Sequence, residues 1–174
     1  AQTMDANVGL TAGEPQEYDP DAQATVSDFG IPSMDEDDIE EIERIENIEF
    51  VDPVIFVNIE YLETPDGTQY TVPSAGFASE QSMVEYAAGG PGSNAEDASE
   101  LVIPTSWLSA VDIDDVANAD EAIGQEVTIA AQDLEGNTET LEATIVGVAE
   151  ETMTGAGTSP IPSFGLTQQI AEIN

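Results

Sequence analysis

Apolar residues recur along this chain with two different periods. Between residues 36 and 51, Ile39, Ile42, Ile45 and Ile48 return at every third position, with Glu40, Glu41, Glu43 and Glu46 between them. That spacing predicts an amphipathic helix of about three turns. Ser33 and Glu36 form a capping box ahead of it. Asp35, Asp37 and Asp38 fall in the first turn, where the positive end of the helix dipole favours carboxylates. The isoleucines are expected to face the core and the glutamates the water. Past Pro53 the period becomes two: "VDPVIFVNIEYLE" alternates Ile55, Val57, Ile59 and Tyr61 on one face with Phe56, Asn58 and Glu60 on the other. "TPDGT" turns the chain through Pro65, Asp66 and Gly67, and "QYTVP" returns it, which predicts a β-hairpin.

The clearest alternation comes later. Val127, Ile129 and Ala131 alternate, "LEGN" turns, and Leu141, Ala143 and Ile145 alternate on the way back, predicting a second hairpin. Before it, Leu101 to Ile103 reads as a short buried strand, followed after Pro104 by a helical turn with Trp107 and Leu108. The stretch from 74 to 99 is the least regular. A short helix is expected around Met83 to Tyr86, and "GGPGSN" (Gly89 to Asn94) reads as a flexible turn at a lobe junction placed around 74–100. Residues 1–32, rich in Gly, Pro, Ala, Gln and Asp, read as an extended or partly disordered lead-in with one short strand near "ATVSDFGI". The tail "PIPSFGLTQQIAEIN" holds two prolines and then a short helix.

Charge changes the picture of what such a domain can touch. Its 174 residues include 37 acids, no histidine, and one basic residue, Arg44, for a formal net charge of −36. Phosphate contacts need clusters of Lys and Arg, so direct nucleic-acid binding is excluded, and adsorption to anionic headgroups is disfavoured. Self-repulsion strains the compact state, so lower stability is expected at low ionic strength. The chain has no cysteine, which removes disulfides, thiolate metal sites and cysteine nucleophiles; without histidine the usual zinc sites and His-dependent triads go too. No run of about 18 apolar residues occurs, so the chain as given does not span a membrane. Its start, "AQTMDANVGL", lacks the basic and apolar parts of a signal peptide and reads as the beginning of an excised or processed piece.

Candidate chemistry is sparse. "DIDDVANADE" (Asp112 to Glu121) invites comparison with a calcium loop, but the position that needs an oxygen is Val116 and the one that needs glycine is Ala117. "GGPGSN" has no following lysine and no strand-to-helix setting for a phosphate loop, and "GAG" at 155–157 is equally weak. Trp107 is the only tryptophan and no GxSxG elbow occurs. No catalytic, cofactor-binding or metal-ligating residue is assigned, no cofactor is implied, and an enzyme is not expected.

Four phrases, in order, resemble the extracytoplasmic domain of MacB-like (FtsX-like) ABC transporter permeases. "DEDDIEEIERIENIEFVDPV" is similar to that family's first helix and the strand it leads into. "YAAGGPGSNAEDASELVIPTSWLSAV" is similar to its glycine-marked loop, apolar strand and short helix. "EAIGQEVTIAAQ" carries its Ile-Gly-x-x-Val-x-Ile phrase at Ile123, Gly124, Val127 and Ile129. "ATIVGVAEE" carries its Val-Val-Gly-Val strand at Ile145, Val146, Gly147 and Val148. Gly124 before a strand and Gly147 within one suggest a turn and a bulge or close backbone approach, which are determinants of fold rather than of binding.

The resemblance implies an α+β fold: two small lobes of β-hairpins and mixed sheets, with short helices packed on one side, over residues 33–174. It implies a non-catalytic domain on the extracytoplasmic face of the cell membrane, with the transmembrane helices of the permease and its ATP-binding subunit as partners. Through them, ATP-driven motion would reach an extracellular substrate or partner protein. The competing expectation is a secreted or wall-attached acidic adhesion or scaffold module, with calcium binding as a variant.

Overall fold

A computed structural model of the chain describes residues 15–19, 42, 44–45, 54–72, 75–78, 84–133, 135–151 and 159–174. The strands described are β1 (Gln16–Glu17), β2 (Val54–Val57), β3 (Tyr61–Glu63), β4 (Gln69–Thr71), β5 (Ala75–Ala78), β6 (Tyr86–Gly89), β7 (Glu100–Pro104), β8 (Glu126–Gln132), β9 (Thr138–Ala149) and β10 (Ile161–Pro162). Two 3-10 helices, Thr105–Val111 and Val116–Ala122, lie between β7 and β8, and helix α1 (Phe164–Ile173) follows β10.

The β8–β9 hairpin is the frame on which the rest is assembled. Its register pairs Glu126 with Thr144 and Gln132 with Thr138. Opposite residues of an antiparallel pair share a face, so Val127, Ile129 and Ala131 lie with Ala143 and Ile145 on one side, where all five are buried. Around this hairpin the main sheet runs β1-β4-β3-β8-β9-β7-β10, with β6 also on β9. The pairing of β7 with β9 is parallel, whereas the other pairings are antiparallel. Strands from both sides of residues 74–100 therefore join one sheet. β2 and β5 form a separate two-stranded sheet. The result is an α+β fold.

The strand β9 departs from simple alternation at one place, and that departure shapes the core. Opposite β7, Leu101 pairs with Ile145 but Val102 pairs with Gly147, so Val146 is an extra residue on β9. The bulge lets Ile145 and Val148, three positions apart, both point inward at 0% exposure. At the same point β9 exchanges partners along one edge: β8 ends opposite Thr144, and β6 takes over opposite Gly147. Gly90 N–H donates to the Val146 carbonyl at 3.2 Å, and a Cβ on Gly147 would collide with the Gly90 carbonyl oxygen. Gly124 has φ +88°, a left-handed conformation that turns the chain into β8, and its N–H reaches the Ile145 carbonyl at 2.8 Å.

The inner face of the sheet is closed by the helical pieces. Trp107, Leu108 and Val111 from the first 3-10 helix, Ala119 and Ala122 from the second, and Leu166 and Ile170 from α1 join Leu62, Leu101, Ile103, Ile129 and Ile145 in one core. Tyr70, opposite Leu62, sets its ring 6.0 Å from that of Trp107.

Several sequence expectations are corrected. The long strand expected over residues 55–61 is broken at 58–60: β2 pairs with β5, while β3 enters the main sheet, where Glu60 N–H reaches the Ala130 carbonyl at 2.8 Å. Ile59 and Leu62 are buried and Tyr61 turns to the other face, because the break shifts the alternation by one residue. The helix expected around Met83 to Tyr86 is not formed: Val84 and Glu85 are irregular and Tyr86 opens β6, whose pairing with β9 overrides local propensity. Ile42 is helical, as expected, and half-buried, but Ile45, expected in the core, is 55% exposed, its N–H donating back to the Ile42 carbonyl at 3.0 Å where the chain turns at Arg44. The rest of the helix expected over 33–48, including Ile39 and Ile48, lies outside the described residues. So do the strand expected near "ATVSDFGI" and "GAG" at 155–157. In the 1–32 lead-in, the described strand is β1, on the outer edge of β4.

Candidate functional site

Two of the acids from Asp112 to Glu121 stand at the ends of the 3-10 helices. Asp112 adopts φ 62° at the end of the first 3-10 helix and its N–H donates to the Leu108 carbonyl. Asp115 caps the second, its carboxylate accepting from Ala117 N–H at 2.9 Å. Asp112, Asp114, Asp115, Asp120 and Glu121 are all exposed. Among the described residues no group of three or more His, Cys, Asp or Glu is arranged to hold a metal ion.

"GGPGSN" is an anchored connection rather than a flexible turn. Ser93 N–H donates to Glu100 Oε2 at 2.6 Å and Ala95 N–H to Ser93 Oγ at 3.1 Å. The loop then runs into a clamp centred on Ser163, which is completely buried. Its hydroxyl donates to the Ala98 carbonyl at 2.7 Å and accepts from Glu100 N–H at 3.2 Å and from Leu166 N–H at 3.4 Å. One side chain thus caps α1, fixes the start of β7 and holds the 89–100 loop. Thr167, also buried, donates to the Ser163 carbonyl at 2.8 Å. Sequence reasoning placed a short helix here and missed the clamp. The one available signal was a serine directly ahead of an apolar helical run.

A second polar node joins the residue after β1, the residue before β3 and the start of β9. Glu60 accepts from the Tyr18 hydroxyl at 2.6 Å and from the Thr138 hydroxyl at 2.7 Å. The rings of Tyr18 and Tyr61 are 5.2 Å apart. The hydrogen bond to Glu60, with burial and neighbouring carboxylates, pushes the Tyr18 hydroxyl from 10.0 up to about 12. Nothing in the local sequence joins residues 18 and 60, so this contact was not legible. Asn174 closes the same region, donating to the carbonyls of Gln132 at 3.2 Å and Asn58 at 3.3 Å, and accepting from Asn58 N–H at 2.9 Å.

Two hairpin turns are closed by aspartates whose charge is held by donors. Asp66 accepts from the Thr64 hydroxyl at 2.6 Å and from Thr68 through its N–H at 3.0 Å and its hydroxyl at 2.9 Å. Asp133 accepts from Asn137 through its side-chain amide and its N–H, both at 2.8 Å, and from Glu135 N–H at 2.8 Å. These bonds lower both carboxyl pKa values. All of these groups order loops and strand ends. The described residues therefore present organised surfaces and anchored loops.

The sequence matches no family model and no curated protein. The fold, however, is similar to the periplasmic region of MacB from Actinobacillus actinomycetemcomitans, with a TM-score of 0.52 at 10% identity over 79% of this chain. The chain corresponds to 58% of the length of that structure. At this identity the likeness is one of fold: an α+β domain with the architecture of the MacB periplasmic region. No helix among the described residues is long and apolar enough to cross a membrane.

Proposed function

We propose that this chain is the extracytoplasmic domain of an ABC transporter permease of the MacB-like, FtsX-like kind. The observation that carries this reading is the fold shared with the MacB periplasmic region over 79% of the chain. Two of the phrases that resemble the family support it by their place in the fold. Ile123 and Gly124 form the turn into β8, and Ile145 to Val148 form the bulged part of β9. In this reading residues 33–174 are the body of the domain, and the 1–32 lead-in adds β1 to the edge of its main sheet. The domain does no chemistry. It transmits movement of the permease's membrane helices, driven by ATP hydrolysis on the other side of the membrane, to a substrate or partner protein outside.

A domain that transmits movement must keep its shape while its ends are displaced, and the clamp at Ser163 and the bulge at Gly147 serve that need by tying loop, helix and strands to one core. The test is the gene on either side of residues 1 and 174. An apolar segment of about 20 residues before Ala1 and three such segments after Asn174 are expected. Flanks without apolar segments would overturn the reading and leave an acidic secreted module in its place.

A further inference from the structure

Residues 58–60 carry the chain from the small sheet to the main one: β2 ends at Val57 and pairs with β5, and β3 begins at Tyr61 and pairs with β8. The two sheets share no strand pairing among the described residues, so the backbone of the crossing must find its partners elsewhere. At Asn58 a single side chain supplies both. The Asn174 amide accepts from Asn58 N–H at 2.9 Å and donates to the Asn58 carbonyl at 3.3 Å, as a neighbouring strand would, and donates again to the Gln132 carbonyl at 3.2 Å. Two residues on, Glu60 accepts from the Tyr18 hydroxyl at 2.6 Å and the Thr138 hydroxyl at 2.7 Å, and its own N–H reaches the Ala130 carbonyl. Gln132 and Thr138 face each other at the end of the β8–β9 hairpin. Both sets of bonds therefore converge on one spot, with buried Ile59 between them. Asn174 ends α1, which packs against β2, β5 and β8 and so lies across the seam between the sheets.

We propose that residues 58–60 are a joint between the two sheets, held from one side by Asn174 and from the other by Tyr18, and that β2 and β5 open from the main sheet as a unit only when both sets of bonds break. The segment after β1 and the end of α1, far apart in sequence, thus act on the same three residues. Displacing either one loosens the small sheet while the pairing of β7, β8 and β9 is kept. The bonds at the joint are to exposed or half-buried groups, which places its opening at the low-stability end of the molecule, below the unfolding of the core. The inference stands on these contacts and is independent of the reading as a permease domain.

The experiment reads native-state hydrogen exchange, amide by amide, in the chain and in three variants. Asn174→Ala removes the bonds to Asn58 and Gln132, and Tyr18→Phe removes the hydroxyl that reaches Glu60. Asp115→Ala deletes the cap of the second 3-10 helix, away from the joint. Each variant lowers the stability of the whole chain, so amides of β7 that exchange only through global unfolding speed up in all three. The β2 and β5 amides should behave differently. Asn174→Ala should speed them about tenfold, the worth of one net hydrogen bond, and Tyr18→Phe should move the same amides in the same direction. Asp115→Ala should leave them unchanged, because its bond survives the opening of the joint. Acceleration of β2 and β5 by Asp115→Ala as large as by Asn174→Ala would show that these strands open only with the whole chain and would overturn the joint. So would β2 and β5 rates that ignore either Asn174→Ala or Tyr18→Phe.

Discussion

Gly147 sits where β9 changes partners, with β7 along one edge and β6 taking over from β8 along the other. The Gly90 carbonyl occupies the space a side chain would need, so Gly147→Ala forces a backbone of one strand away from its neighbour. Overpacking of this kind costs about 1–3 kcal/mol, and urea unfolding followed by the fluorescence of buried Trp107 measures it. Gly136→Ala serves as the comparison: nothing lies near its missing side chain, and only the strain of φ +88° is added, about 1 kcal/mol. Tyr18 offers a pH signature. Its hydroxyl titrates at about 12 rather than 10.0 because it donates to Glu60. A pKa raised on folding means that the neutral form is favoured by the fold. The contribution is thus complete below pH 10 and is lost as the pH rises towards 12. Tyr61, Tyr70 and Tyr86 are also raised, chiefly by burial. Tyrosinate absorbance should therefore rise late in the folded chain, and Tyr18→Phe should remove its last step and flatten the loss of stability in that window. A titration indistinguishable from that of free tyrosine would contradict the Tyr18–Glu60 contact.

At the scale of elements, the clamp around Ser163 joins parts of the chain far apart in sequence: the 89–100 loop, β7 and α1. Ser163→Ala leaves the half-buried Ala98 carbonyl and Glu100 N–H without their partner and uncaps the helix. The expected loss is about 1–3 kcal/mol for the unmet groups, read as a lower urea midpoint. Much of the element order was legible: the β8–β9 hairpin and the turn at Asp66 stand where alternation puts them, and the Leu101 to Ile103 strand stands as a short apolar run buried at every position. The failures share a cause. Alternation ran unbroken through Ile55 to Tyr61, yet the chain there divides between two sheets, a choice made by the partners β5 and β8 rather than by local pattern. A helix was expected around Met83 to Tyr86, yet Val84 and Glu85 are irregular and the edge of β9 draws Tyr86 into a strand. Ile45 matched a helical stripe, but periodicity reports a face, not whether anything covers it; in the structure the side chain is exposed. The Tyr18–Glu60 contact spans 42 residues and leaves no trace in either neighbourhood.

Across the whole molecule, a neutral core is wrapped in a surface of almost uniform sign. The core sits between the inner face of one mixed sheet and short helical pieces, and the carboxylates of the described residues lie outside it, in a chain whose net charge is −36. Such a charge is expected to disfavour nucleic acid and to make stability depend on the surrounding ions. The fold is similar to that of the MacB periplasmic region at 10% identity, so backbone architecture is shared where side-chain identity is not. On the reading as a permease domain, the acidic exterior faces the outside medium while the chain's two ends lead towards the membrane. The most direct measurement is to tag the native protein in its own cells, separate membranes from soluble fractions, and assay the purified material for ATP hydrolysis. A permease domain would be recovered in the membrane fraction, released by detergent but not by high salt, together with an ATP-hydrolysing subunit or domain. Recovery in the soluble or medium fraction with no associated ATP hydrolysis would contradict it.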